Sequence, residues 1–320
     1  MDVLIVRTKL QAIIALELLD REKISKRFIF ISWLDHRGKE TTQTENIYDN
    51  IKKRSFLNLE IVESEGFLFN FIKLYFISLT TSLLFSKFIF AIIDSNTLAL
   101  VKKFNPLIRI ESFDDGAANF VKISDYFKDS PLPDNKTLRR KALNFIFPNS
   151  CSHFLRRKIS HHYSIYRNKE NILEQDKTSY VDIDFSKYLL EKEKNLLKDF
   201  AKEELNILVG TTFLNEFKRT GINFLEIIQN EYVDIIDLII LHPRDDSDIK
   251  EIKSSRRFES PAEAIVDFFV KNHKVKKINL YHFRSSCIVS LLGKNKIDTV
   301  DLWTESKLSL WDDPSRDFFQ

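Results

Sequence analysis

Val3-Leu-Ile-Val6, then Gln11-Ala-Ile-Ile-Ala-Leu-Glu-Leu-Leu19, then Phe28-Ile-Phe-Ile-Ser32 read as strand, helix, strand: two short apolar runs flank a segment whose apolar residues fall on a helical period. The same pattern continues outward. Residues 44–53 predict a helix, 59–62 a strand, 68–84 an apolar helix, and 88–93 and 107–111 two strands around a helix at 97–104. Alternation of this kind predicts a parallel sheet with helices on both faces. After a change of character at 135–178 it resumes, with helix 186–202, strand 205–209, helix 224–231, strand 235–241, helix 261–271, strand 277–281, a helix opening near Ser285, and strand 299–302. The expected architecture is α/β in two Rossmann-like halves, 1–165 and 166–320, facing each other across a ligand cleft.

The 320 residues, 43% hydrophobic and 30% charged, suffice for one large or two medium cores and exclude a disulfide mini-protein or a disordered tail. Lys and Arg number 49 against 46 Asp and Glu, so any charge argument must be local. Cys151 and Cys287 stand far apart, with no Cys/His cluster of metal-ligand spacing around either, which predicts a reducing compartment and no metal site; no other cofactor is expected. Met1 is followed by an acid and an apolar run, without a basic n-region or cleavage pattern, so no secretory signal is expected. The greasiest stretch, 67–93, carries Lys73 and Lys87 with 13 uncharged residues between them, short of the roughly 20 a spanning helix needs. It reads as a buried helix followed by a core strand in a cytoplasmic protein.

Four groupings sit at the C-terminal ends of predicted strands, where open parallel sheets present their working residues. Asp114-Asp115-Gly116 follows strand 107–111; it is either an Asp-Gly turn with solvated acids or a loop that offers one carboxylate as a general base. His242-Pro243 closes strand 235–241, and proline holds the preceding residue extended, so the imidazole is either a strand cap or a proton donor to a phosphate leaving group. Arg284-Ser285-Ser286 opens a helix, as an ordinary cap or as an anion site of hydroxyls and free N–H groups. Glu259-Ser260-Pro261-Ala262-Glu263 is a helix start whose acid either caps or accepts from ribose hydroxyls.

Taken in order, Asp-Asp-Gly, His-Pro and Ser-Ser resemble the bacterial lipooligosaccharide sialyltransferase family, glycosyltransferase family 52. The opening Val6-Arg-Thr-Lys-Leu-Gln-Ala-Ile-Ile14 and the stretch His162-Tyr-Ser-Ile-Tyr-Arg-Asn168 are similar to segments of that family. The resemblance implies a GT-B fold and an inverting, metal-independent transfer of sialic acid from CMP-sialic acid to the terminal galactose of lipooligosaccharide or a related glycan. By similarity, His242 faces the phosphate, Ser285 and Ser286 contact it with Arg284 beside them, Glu263 takes the ribose, and Gly210 lies at the nucleotide. The base falls on Asp115 or Asp114; a rival is the loop after the first strand of the second half, Gly210-Thr-Thr-Phe-Leu-Asn-Glu216, where Glu216 stands in for a typical aspartate. Domain closure would then exclude water. Other readings keep the fold but use another nucleotide sugar such as a UDP-hexose, or make the chain an inactive binding protein.

Residues 135–169 hold nine Lys/Arg, three His and no Asp or Glu, with aromatics interleaved. This connector suits either an anionic membrane surface, making the protein peripheral on the inner face of the cytoplasmic membrane, or a solvated helix face. Nucleic acid is not expected, given the near-neutral chain and the lack of a binding motif. A homodimer is compatible with the sequence.

Overall fold

The computed structural model describes residues 1–34, 42–82, 86–93, 95–116, 119, 124–130, 137–166, 171–210, 223–242, 255–283, 286–291 and 294–302. The chain forms two compact units, 1–183 and 184–320.

The first unit is built on a seven-stranded parallel sheet. Its strands are β1 (Asp2–Val6), β2 (Phe28–Leu34), β3 (Leu57–Val62), β4 (Lys87–Phe90), β5 (Arg109–Phe113), β6 (Ile159–Ser164) and β7 (Thr178–Tyr180), in the order β3-β2-β1-β4-β5-β6-β7. Strands β1, β2 and β4 are buried almost throughout, which is why they read as unbroken apolar runs. Sheet order reverses at β1 and β4, so the crossovers place α1 (Lys9–Asp20) and α2 (Thr42–Arg54) on one face. The other face carries α3 (Phe67–Ser82), α4 (Asn96–Phe104), α5 (Leu138–Ile146) and α6 (Cys151–Lys158). Leu74, Leu98, Leu143 and Leu155 from these four helices share one core with Val3, Ile5, Phe88 and Phe90. Helices α1, α4, α5 and α6 each begin at a Thr or Ser whose hydroxyl accepts an N–H of the first turn.

Three expectations are corrected here. The division falls at 183/184 rather than at 165/166, because β7 pairs with β6 as the last strand of the first sheet. The basic connector is not a link between units; its residues build α5, α6 and β6 inside the first one. The apolar helix α3 is not buried all round. Its buried residues are Asn70, Leu74, Ser78 and Thr81, and two of the polar ones are held there by tertiary bonds: Asn70 Nδ2 donates to the Val62 carbonyl (3.1 Å), and Asn105 Nδ2 donates to the carbonyl (3.0 Å) and Oγ (3.1 Å) of Ser78. Leu68, Phe69, Ile72, Phe76 and Leu79 face outward. Among the described residues, no helix is long and apolar enough to cross a membrane.

The second unit repeats the plan with a five-stranded parallel sheet, β10-β9-β8-β11-β12, made of β8 (Glu204–Val209), β9 (Leu238–Ile240), β10 (Ser255–Arg256), β11 (Lys277–His282) and β12 (Ile297–Asp301). Helix α7 (Glu191–Lys198) precedes it, α8 (Phe224–Ile227) runs on into a π-helical segment, Ile228–Tyr232, and α9 (Ala262–Lys271) and α10 (Ser286–Leu291) flank β11. The single helix expected at 186–202 is a 3₁₀ turn, Phe185–Tyr188, followed by α7. The break lets Ser260 Oγ accept from the Leu190 N–H (3.1 Å).

The buried Glu193 of α7 ties this start to α9, with Oε1 accepting from Glu259 N (2.6 Å) and Oε2 from Ser260 N (3.2 Å). Glu193→Ala strands both donors and is expected to lower stability by about 1–3 kcal/mol, read from the urea midpoint of the full chain.

Candidate functional site

Strand β5 ends at Phe113, and the next three residues make a tight loop at the C-terminal edge of the first sheet. Gly116 has φ of +74°, a left-handed conformation that glycine alone adopts without a steric cost. The Asp115 N–H donates to Asn119 Oδ1 (2.6 Å) and closes the loop. Among the described residues, the Nδ2 of the fully buried Asn119 meets no hydrogen-bond partner.

The two adjacent acids have opposite surroundings. Asp114 is fully buried and accepts four hydrogen bonds: Oδ1 from His162 Nε2 (2.9 Å) and Asn171 Nδ2 (3.2 Å), Oδ2 from Ser164 Oγ (2.8 Å) and the Ile165 N–H (2.6 Å). Strand pairing explains this convergence. Ser112 lies opposite His162 in the β5–β6 ladder, and residues two apart share a face, so Ser112, Asp114, His162 and Ser164 project to the same side. A carboxylate only accepts, so His162 Nε2 carries a proton, and its Nδ1 hydrogen-bonds Ser112 Oγ (2.7 Å). The Ser-His-Asp string looks like a nucleophile array, but all three residues are sealed from solvent. It is a structural network that locks β5, β6 and the Asp-Asp-Gly loop together.

Asp115 is half-buried, and each of its oxygens meets one donor. Oδ1 accepts from Gln11 Nε2 (2.5 Å) and Oδ2 from the Tyr126 hydroxyl (2.6 Å). Gln11 is placed by the start of α1, where Thr8 caps the helix and Gln11 Oε1 accepts the Arg7 N–H (2.7 Å). That bond fixes the amide orientation and leaves Nε2 to face Asp115. The contact crosses the end of β4, at the reversal of strand order where doubly wound sheets bind ligands. Each carboxylate oxygen has a second lone pair, so Asp115 can take a further hydroxyl proton while its two partners hold it still. Behind the site, Tyr163 donates to Glu111 Oε2 (3.1 Å), which also pairs with Lys87 (2.7 Å). Burial, reinforced by Glu111, holds the Tyr163 phenol well above its ordinary range, so it stays a neutral donor.

The structure therefore joins two stretches singled out in the sequence, since the His162 segment holds Asp114 and the Val6–Ile14 segment holds Asp115. Gln11 and Tyr126 are not among the expected site residues. Gln11 sits inside a quoted segment; nothing in the local sequence around Tyr126 marks it.

In the second unit, three neighbouring strands present candidates at the same sheet edge. Gly210 follows β8, and its N–H donates to the Ile240 carbonyl (2.9 Å), so that donor is spent on the sheet rather than offered to a ligand. His242 lies two residues past β9 and is half-buried, with Leu241 N–H bonded to the Arg256 carbonyl (3.1 Å) just before it. Ser286 opens α10 after β11, the strand on the other side of β8. Glu263 is in the first turn of α9, whose N-cap is Pro261, and is buried. Glu216, Arg284 and Ser285 lie outside the described residues. Among the described residues, no group of three or more His, Cys, Asp or Glu is arranged to hold a metal.

The chain is similar in structure to UDP-GlcNAc 2-epimerase from Neisseria meningitidis bound to UDP-GlcNAc, at 11% identity and a TM-score of 0.52, covering 89% of this chain and 78% of that one. It also matches UDP-GlcNAc 2-epimerase from Methanocaldococcus jannaschii in complex with UDP-GlcNAc and UDP (12% identity, TM-score 0.48, 94% and 89% covered). A third match is Phytolacca americana UGT2 complexed with UDP-2fluoro-glucose and pterostilbene (9%, 0.46, 94% and 80%). The first of these likenesses shows the fold, two Rossmann-like units of GT-B type. No curated protein sequence matches the chain. The family model of glycosyltransferase family 52 matches residues 25–305, from just before β2 to past β12, and the chain belongs to that family.

Proposed function

We propose that this glycosyltransferase moves sialic acid from CMP-sialic acid to the terminal galactose of lipooligosaccharide or a related glycan, with inversion and without a metal. The observation that carries the reading is Asp115, a half-buried carboxylate clamped by Gln11 and Tyr126 at the C-terminal sheet edge, where doubly wound folds generally take ligands.

Transfer breaks the bond between the anomeric carbon of sialic acid and the CMP phosphate oxygen. Positive character grows on the sugar and negative charge on the departing phosphate. In this reading Asp115 accepts the proton of the attacking galactose hydroxyl, so the oxygen reaches the anomeric carbon as a better nucleophile. Gln11 and Tyr126 are positioning residues. Asp114 touches no substrate and acts through the loop it anchors. His242 gives a hydrogen bond or a proton to the leaving phosphate, with Ser285 and Ser286 as further donors, Arg284 beside them and Glu263 on the ribose. One in-line displacement at the anomeric carbon inverts its configuration.

The test is incubation of the purified chain with CMP-N-acetylneuraminate and labelled lactose in EDTA, followed by chromatography of the products. Sialyllactose and CMP in equal amounts are expected. Transfer from a UDP-hexose but not from CMP-N-acetylneuraminate would replace the donor, and a folded chain inert towards both would make it a binding protein.

A further inference from the structure

Helix α3 is apolar on two sides: Leu74 is buried and Phe67, Phe71, Tyr75 and Ile77 pack on the core, yet a second apolar set faces away from it. Asn70, Ser78 and Thr81 lie on its inner side, whereas Leu68, Phe69, Ile72, Phe76 and Leu79 form an outward stripe about 100° wide, the width that ordinarily packs on a core. The stripe is not isolated. The Arg139 guanidinium of α5 stacks 4.0 Å from the Phe67 ring, and Phe71 of α3 meets Phe104 of α4 at 6.0 Å. Leu107, just past α4, is 84% exposed, and Leu138 and Phe145 of α5 are 84% and 89% exposed. All belong to the one helix layer that shares its core through Leu74, Leu98 and Leu143. A monomer with this much apolar surface on one side is built to meet something.

The charges around it select the partner. Lys73 lies 4.5 Å from the Phe69 ring, and Lys103, Arg139, Arg140, Arg157 and Lys158 belong to the same layer. Residues 66–93 and 135–169 contain no acid apart from Asp94's neighbours outside these ranges; of the acids flanking them, Glu65 is paired with Lys73, and Asp129 with Arg156 and His153. Within this layer a cavity of about 330 Å³ is lined by Lys103, Phe147, His153, Phe154, Arg157 and Lys158, four basic side chains over an aromatic floor, large enough for a phosphate headgroup. A second copy is a poor occupant, since a twofold contact would set this cationic rim against itself.

We propose that the outer face of α3, α4 and α5 docks on an anionic phospholipid bilayer, with a headgroup phosphate seated in the α4–α6 cavity. The apolar side chains enter the acyl boundary while the Lys and Arg side chains stay at phosphate level. The inference is independent of the donor proposed above.

The experiment is co-sedimentation of the full chain with vesicles of phosphatidylcholine alone or with phosphatidylglycerol added. Binding should favour the anionic vesicles by at least about tenfold and weaken with salt. Leu138→Ser/Phe145→Ser and Arg157→Glu/Lys158→Glu should each lower that binding about tenfold or more while leaving the circular dichroism spectrum unchanged. Transfer to soluble lactose, or whatever activity the chain has in solution, should not change in either variant. Absent binding, equal binding to both vesicles, or binding unchanged in either variant overturns the proposal. So does a dimer in solution that Leu138→Ser/Phe145→Ser dissociates.

Discussion

Asp115→Asn is expected to lower transfer by about 10²–10⁴-fold at saturating donor and acceptor, the usual contribution of a positioned general base. The change keeps size and shape but removes the proton-accepting oxygen. Its amide oxygen can still accept from Gln11 Nε2, while its N–H group faces the Tyr126 hydroxyl, which must then reverse its role and accept. The fold should lose about 1 kcal/mol, because Asp115 is half-exposed and bonded at the loop surface. Initial rates with CMP-N-acetylneuraminate and lactose, measured beside the urea midpoint, separate the two effects. A variant that retains its rate would move the base to Glu216.

Asp114→Ala is expected to do the reverse. Its carboxylate is the common acceptor for His162, Asn171, Ser164 and the Ile165 N–H, all drawn from β6 and the segment after it. Alanine leaves several buried donors without a partner, and truncating one member of such a buried charged network costs about 3–5 kcal/mol. The denaturation midpoint should fall steeply, and activity should disappear only as the folded fraction does. If Asp114→Ala kept its midpoint yet lost transfer, Asp114 would be the base and the assignment to Asp115 would fail. Neighbouring acids in one loop thus make opposite predictions, a contrast that no shared conservation pattern could mimic.

Together the two variants bear on how the family's Asp-Asp-Gly loop works in this chain. One acid fixes the loop to the sheet, the other is exposed by it, and Gly116 supplies the left-handed turn after them. Placing the anchor inside and the reactive group at the rim keeps the carboxylate rigid without burying it, which favours a geometry already set before the acceptor arrives.

The strands and helices were largely legible in the linear chain, because they depend on residues close in sequence. Unbroken apolar runs such as Val3–Val6 mark strands covered on both faces, and Thr8, Ser95, Thr137 and Ser150 start helices by bonding residues three positions on. The doubly wound plan and the strand-end position of Asp114, Asp115 and His242 follow from that periodicity. What the chain could not announce is whatever depends on which distant segments meet. Gln11 reaches Asp115 because the sheet order sets only β4 between β1 and β5, and Tyr126 meets it from 11 residues further along the chain. Asp114 becomes an anchor rather than a base because β6 aligns His162 and Ser164 beside it. Residues 135–169 read as a connector because their charge is visible locally while the pairing of β6 with β5 and β7 is not. In α3 the apolar content exceeds what one face can hold, so composition predicted burial all round; Leu74 packs inward beside Asn70 and Ser78, which found partners on Val62 and Asn105, and Leu68, Phe69, Ile72, Phe76 and Leu79 are left outward.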